Sequence, residues 1–388
     1  MAISSVTQPS GQVTAYNPVF SQMSSNDANI VGIRADIFVD GTYKTTIDGT
    51  NVLNDADDFT FDHRKIAQSI LQHEIRTNIT TFQLTDAPVS GAVFQLKFYE
   101  IINTAGVFTT NWVEDGAGSP DFTGNTHSII NFALQHLEDF DDWTVDGVNK
   151  KLLTARTGGV STGSQSVVRG VPFQMGVTSF GVNNRARLRT LDSSFVQLTN
   201  VVTATVVLLT NSKGIIEIPS ANFSSASAKY LEITLENSSS VQKSQVYTFP
   251  IVDDCPDTIV LFWQNHYGGM DHFSFPAQRK VNVNTTDKRV KRPLNLAFNS
   301  EDSGEYTLSS QVNETLQVFS NRLSSSELTM LSELIRNHTV VYRWRSAGVF
   351  ERVNVRSKSR KVEDNGTIIN QIQVTISPSN QHTVQMGE

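Results

Sequence analysis

The stretch WQNHYGGMDHFSF, residues 263–275, packs four aromatic rings, two histidines, a Gly-Gly pair and an aspartate into thirteen positions. His266, Asp271 and His272 carry donor atoms that suit zinc. Two features oppose a metal centre. No helical H-x-x-x-H pair accompanies them, and adjacent residues of an extended chain, such as Asp271 and His272, leave opposite faces. No metal or cofactor is expected here. The competing reading is structural. Ile259, Leu261 and Trp263 alternate onto one face and Val260 and Phe262 onto the other, so the strand is expected to be buried on both sides. Gly268 and Gly269 can take positive φ and reverse the chain. Asn265 and Asp271 flank the reversal, where their side chains can satisfy backbone N–H groups. Phe273 and Phe275 return on one face. A rigid hairpin anchored by aromatics follows, pinning either its own core or a subunit interface.

Other candidate chemistry is weaker. The run LEDFDDWTVD, residues 137–146, holds several carboxylates, but glycoside hydrolysis needs two acids facing each other across a cleft. A local acidic run reads as a solvated face or a helix end. The single cysteine, Cys255, stands among Asp253, Asp254 and Asp257, whose negative charge opposes thiolate formation. It also excludes internal disulfides. No G-x-S-x-G nucleophile elbow occurs. The glycine-rich stretch near residues 157–166 lacks the Gly-Lys-Ser/Thr ending of a phosphate-binding loop. No catalytic residue is assigned.

Residues 279–292, RKVNVNTTDKRVKR, set six cations, Arg279, Lys280, Lys288, Arg289, Lys291 and Arg292, against Asp287. Arg343, Arg345, Arg352, Arg356, Lys358, Arg360 and Lys361 follow in later strands. Such a stripe can meet nucleic acid or the acidic surface of a neighbouring subunit. The formal net charge is −7, which favours the neighbour. The charge is also divided. Residues 1–150 carry 7 Lys+Arg and 19 Asp+Glu, net −12, and residues 151–388 carry 24 and 19, net +5. An acidic front and a basic back suit head-to-tail contact between copies, which closes into a ring when the rotation permits. A chance difference between sections accounts for the same numbers.

The elements that would position these residues are mostly strands. Charged residues are 18% of the chain, below the usual ~25%, and Ser, Thr, Asn, Val and Phe fill the space, as β-rich surfaces require. The expected class is mainly β with a few helices, in several lobes of sandwich-like or tail-tube-like modules. Residues 1–29 read as an extended arm; an arm that pairs with a neighbour's sheet edge and an unstructured terminus both fit. Residues 30–155 read as a β-rich lobe with one or two helices. Within it Ile33, Ala35, Ile37 and Val39 share a face, and Asp40-Gly41 marks a hairpin. Residues 61–75 read as a helix with Asp62 as N-cap and a stripe of Ile66, Ala67, Ile70, Leu71 and Ile75. Residues 92–102 read as a strand, 111–125 as a loop and 126–140 as a second helix. Residues 156–300 form a middle section of short strands at sandwich-like spacing. Residues 301–388 open on a helix over 324–338, capped by Ser324, Ser325 or Ser326, with Leu328, Leu331, Leu334 and Ile335 as its apolar face. Three strands follow it.

The first twenty residues have neither a basic region nor an apolar core, so no export signal is expected in them. No run of 18 apolar residues occurs, so no membrane span is expected. Seven N-x-S/T sequons are then by-products of composition.

The pattern W-x-N-x-x-G-G-x-D-x-F-x-F, carried by Trp263, Asn265, Gly268, Gly269, Asp271, Phe273 and Phe275, resembles one found in virion proteins of tailed phages of Bacteroidetes-type bacteria. These include ring and tail proteins of crAss-like phages. The E-L-x-x-L-x-E-L run from Glu327 to Leu334, the VVYRW and IQVTIS strands, and the opening FVDGTYKTT are also similar. The resemblance covers about a third of the chain. It implies a β-rich structural protein repeated around the neck or tail axis, lining the DNA path used in ejection, with no catalytic residues. Its partners would be copies of itself, neighbouring neck and tail proteins, and DNA passing without specific binding. Its place would be the virion, assembled in the host cytoplasm. Alternatives are a host-recognition tail-fibre or adhesin module and a glycan depolymerase.

Overall fold

The computed structural model describes residues 3–7, 12–15, 19–25, 28–51, 58–71, 75–87, 90–112, 126–130, 152–153, 166–178, 183–208, 213–253, 258–265, 267–275, 279–291, 305–324, 327–328, 330–331, 334, 341–345, 349–364, 367–379 and 383–384. The protein is mainly β, arranged in several antiparallel sheets.

The first section contains β1 (Ile3–Thr7), β2 (Gln12–Thr14), β3 (Phe20–Ser25), β4 (Ile30–Val39), β5 (Thr42–Asp48), β6 (Thr50–Asn51), β7 (Asp58–Asp62), helix α1 (Arg64–Ile70), β8 (Gln83–Ala87), β9 (Gly91–Thr104), β10 (Val107–Trp112) and β11 (Thr126–Ile130). One sheet runs β2-β11-β9-β4-β5 with β10 on β9, and a second runs β1-β3-β7-β6. Between them lies a core of Ile33, Ala35, Ile37, Val39, Phe59, Phe61, Phe94, Leu96 and Phe98. The β4 alternation therefore sets its buried face. Asp40 and Gly41 both take positive φ, 48° and 75°, the geometry of a two-residue hairpin turn whose twist matches the strands.

Three expectations are corrected in this section. Residues within 3–25, read as an extended arm, supply strands to the chain's own sheets, and Val19 and Met23 are buried in its core. The first helix is only Arg64–Ile70, with His63 at its N-cap, while Asp62 Oδ1 accepts the Arg64 N–H at 3.0 Å. It stops because its apolar stripe is divided. Ile66 and Ile70 pack on the first core, whereas Ile75 packs on the next one. Residues 126–130, read as the start of a second helix, are β11, which pairs with β2 on one side and β9 on the other. Backbone pairing on both edges overrides a helical pattern. The rest of that expected helix lies outside the described residues, as do residues 113–125, most of the connector near 157–166, Cys255 and the acidic run at 137–146.

The middle section contains β12 (Leu152–Leu153), β13 (Val167–Val168), β14 (Phe173–Thr178), β15 (Asn184–Leu191), β16 (Gln197–Val202), β17 (Lys213–Ile218), β18 (Tyr230–Asn237) and β19 (Tyr247–Val252). It is a sandwich. The sheet β12-β14-β17-β8 packs on the sheet β13-β19-β18-β15-β16 around Phe173, Ile216, Leu188, Leu231, Ile233 and Phe249. β8 belongs to the first section of sequence, so the two sections are interlocked. The outer face of β15 and β18 is closed by ion pairs at strand spacing. Buried Glu236 accepts from Arg185 and Arg187, both at 2.8 Å, and Arg189 faces Glu232 at 3.2 Å.

The last section contains β20 (Ile259–Gln264), β21 (Met270–Phe275), β22 (Arg279–Lys291), β23 (Glu305–Phe319), β24 (Val341–Arg345), β25 (Val349–Asp364), β26 (Thr367–Pro378) and β27 (Thr383–Val384). They form one sheet, β21-β20-β24-β25-β26-β23-β22, with β27 on β23. Strands before and after residue 300 thus share a single sheet. β21 and β22 stand at its opposite edges although residues 276–278 alone connect them. Four Cα steps reach about 15 Å, whereas six strand spacings in a flat sheet span about 29 Å. The sheet must therefore coil until its edges meet at a corner, as an open barrel. Its interior holds Trp263, Phe275, Val318, Ile372, Val374 and Ile376.

Helical backbone at Glu327, Leu328, Met330, Leu331 and Leu334 fills this barrel, with Met330, Leu331 and Leu334 buried. The other positions of the expected helix lie outside the described residues. Ser324 is its cap. The Ser324 hydroxyl accepts the Glu327 N–H at 3.3 Å, and Glu327 accepts the Ser324 N–H at 2.8 Å, a reciprocal capping box.

Candidate functional site

The residues singled out for chemistry lie on β20 and β21. All twelve side chains of these two strands are buried. In an extended strand neighbours point opposite ways, and here each side has its own core. Ile259, Leu261, Trp263, Phe273 and Phe275 enter the barrel interior. Val260, Phe262 and Met270 enter the sandwich core with Phe173 and Phe249. The hairpin is the shared wall of two lobes. Burying each of its aromatic rings contributes about 2–3 kcal/mol.

The turn is held from three directions. Gly268 takes φ 73°, while Gly269 is not in the left-handed region and is required for a different reason. A Cβ at Gly269 would stand 1.7 Å from the Leu153 carbonyl oxygen, and a Cβ at Gly176 would stand 2.9 Å from the Gly269 Cα. β12 and β14 therefore lie directly on the turn. Asn265 locks it, since its Oδ1 accepts the Gly269 N–H at 3.0 Å and its Nδ2 donates to the Leu153 carbonyl at 3.2 Å. From the third side Lys213 Nζ donates to the Gly268 carbonyl at 2.7 Å. Asp271 lies inside β21 opposite Trp263 rather than at the turn, buried on the barrel side.

Lys213 was not legible as a special residue, because a lone lysine before a strand looks like any surface cation. It is buried, and burial pushes its pKa down to about 7. A lysine of this kind can serve as a base or a nucleophile. The space beside it, lined by Ser90, Gln174, Gly176, Lys213 and Gly269, is about 10 Å³, room for roughly one water. The lysine holds a turn.

His272 sits among rings, with centroids 5.0 Å from Phe173, 5.5 Å from Phe262 and 6.5 Å from Phe249. Asp271 faces the barrel and His272 the sandwich, so the two do not converge. His266 lies outside the described residues. Among the described residues no three His, Cys, Asp or Glu side chains gather. A larger cleft of about 320 Å³ runs past Ser166, Asp253, Ser274, Arg322 and Glu327. Its two carboxylates are already engaged, since Asp253 pairs with Arg169 at 2.7 Å and Glu327 closes the helix cap.

The basic stretch is placed quite differently. β22 is an outermost strand and pairs with β23 alone among the described residues. Lys280, Lys288, Arg289 and Lys291 are exposed along it. The Arg279 side chain and the whole of Arg292 lie outside what is described. Val281 shares a face with barrel-lining Leu316, yet Val281 and Val283 are 51% and 59% exposed. No described helix is long and apolar enough to cross a membrane.

No family model and no curated protein matches the chain. Among solved structures, it aligns with the crystal structure of Dpr2 Ig1-Ig2 in complex with DIP-Theta Ig1-Ig3 at 7% identity, covering 96% of this chain and 87% of that one, with a TM-score of 0.17. It aligns with the Plexin A4 full extracellular region at 8% identity, covering 97% of this chain but 40% of that one, with a TM-score of 0.19. Likeness this low carries no argument.

Proposed function

We propose that the chain is a non-enzymatic structural subunit of a tailed-phage virion, assembling with copies of itself into a ring in the neck or tail around the DNA path. One observation supports this reading above the others. Among the described residues, those with chemical potential on β20 and β21 are consumed in packing, whereas long strands with an unpaired edge and apolar side chains remain outside. Phe108 on β10, Val196 beside β16 and Val283 on β22 are all more than half exposed, at 67%, 58% and 59%. Edges of this kind are liabilities in a monomer and contact surfaces in an assembly. The net −12 of residues 1–150 and net +5 of residues 151–388 complement each other head to tail. An acidic lumen would keep DNA from adhering in transit. The resemblance of residues 263–275 to a pattern in ring and tail proteins of crAss-like phages supports this reading. Negative-stain microscopy and native mass spectrometry of the purified chain test it. The expected outcome is closed rings of one subunit number; a monomer at high concentration that is absent from virions overturns it.

A further inference from the structure

We propose that the cleft between the sandwich and the barrel binds a polyhydroxy monocarboxylate, the chemical class of the uronic acids. The inference goes beyond the self-assembly reading and does not depend on it.

The cleft exists because two sheet edges approach without pairing. Among the described residues β13 pairs with β19 alone and β21 with β20 alone, and these two outer strands touch. The end of β19, Thr258 before β20, and the link from β23 to the Ser324 cap complete the walls. The space is about 320 Å³. Small-molecule sites run to about 300–1,000 Å³ and favour junctions between lobes, so this one has room for a single small molecule.

Its walls are of three kinds. Val168, Val252, Phe273 and Leu323 give an apolar side, on which the C–H face of a sugar ring can rest. Ser166, Thr258, Ser274 and Asn321 bring hydroxyl and amide groups, which both donate and accept. The third kind is charged. Asp253 Oδ1 accepts from Arg169 at 2.7 Å, and Glu327 Oε2 accepts the Ser324 N–H at 2.8 Å and the Ser324 hydroxyl at 2.9 Å. The second oxygen of each carboxylate accepts nothing from a described residue. Arg322 is exposed and has no ion-pair partner among the described residues.

These groups select a ligand. The planar guanidinium of Arg322 matches one carboxylate through two parallel hydrogen bonds. Asp253 Oδ2 and Glu327 Oε1 can accept from ligand hydroxyl groups, which add no charge. A phosphate monoester would bring nearly two negative charges beside those carboxylates. A neutral sugar leaves Arg322 unmatched, and a simple acid such as acetate leaves the hydroxyl and apolar walls unmatched. A small ring with one carboxylate and several hydroxyl groups meets all three walls.

The test uses the full purified chain with sodium glucuronate as probe, followed by calorimetry and saturation-transfer NMR. Saturable binding with a Kd of about 1 mM or tighter is expected. Glucose, acetate and glucose 6-phosphate should each bind about tenfold more weakly or worse. Arg322→Met should weaken glucuronate binding about tenfold or more, with Arg322→Lys between it and wild type, because a lysine keeps the charge but not the fork. Arg322 and Asn321 are both exposed, so Arg322→Met should melt with the wild type, and Asn321→Ala serves as a second variant should it fail to fold. No saturation by about 50 mM glucuronate, equal binding of glucose or acetate, or full affinity in the folded variants overturns the proposal. Tighter binding of glucose 6-phosphate overturns the carboxylate assignment. The result reads the same whether the chain is a monomer or a ring, so it is separate from the fate of the assembly reading.

Discussion

Two hairpins adjacent in sequence, β20–β21 and β22–β23, belong to one sheet and have opposite fates. The first is walled in on both faces and its turn is pressed under β12. The second runs along the outside, and its first strand, β22, pairs with β23 alone among the described residues. The buried hairpin tolerates an aspartate, a histidine and a buried lysine beside it because each has a fixed place in a packed wall. The exposed hairpin gathers lysine and arginine where water solvates them. Unusual composition marks a packing keystone in one case and an exposed edge strand in the other. Chemical richness by itself does not distinguish them.

The sharpest way to break this comparison is Gly269→Val. Its Cβ would meet the Leu153 carbonyl oxygen at 1.7 Å, which backbone cannot absorb. We expect loss of soluble folded protein, or destabilisation above about 4 kcal/mol, read by urea melts. A folded, assembly-deficient chain would instead make the turn an interface. Trp263→Ala follows, with about 3–5 kcal/mol lost. Val283→Ala on the exposed hairpin should change stability by less than about 0.5 kcal/mol. Similar losses at both positions would erase the contrast.

Lys213 gives a pH signature. Its pKa is lowered by burial from the ordinary lysine value to about 7, so between these values the unfolded chain binds a proton that the folded chain does not. Stability should rise as pH rises from about 7 towards 10.5, and Lys213→Met should flatten that rise in denaturant melts at neutral and alkaline pH.

The smallest effect is expected in the first lobe. Burial holds His63, stacked on Phe94 at 6.2 Å, down to about pKa 4. Its contribution should be present above pH 6.5 and fade as pH falls towards 4. His63→Phe should remove that slope while the slope due to Lys213 persists.

Much of the fold was legible. Alternation on β4 and on β20, the Asp40-Gly41 turn, the strands after β23 and the Ser324 cap all follow from local sequence, because each is decided within a few residues of itself. The corrections have one cause. Residues 61–75 carry a continuous helical stripe, but Ile75 is claimed by a different core from Ile66. Residues 126–130 can coil as a helix, but β2 and β9 each offer them a ladder. At the candidate site, the aromatic anchors and the reversal at Gly268 could be read directly. Lys213, Ser90 and Leu153 could not, since nothing nearby in sequence signals a partner more than fifty residues away.

By itself the sequence determined the strand-rich class, the faces of the amphipathic strands, the turn and cap positions, and the division of charge between front and back. These are properties of local periodicity and composition. The tertiary structure alone decided that residues 263–275 form a wall between two cores, that Gly269 is required for close approach rather than for φ, and that the basic strand lies at an outer edge. Each of these depends on segments brought together from far along the chain, where burial, steric exclusion and edge pairing are fixed by long-range packing.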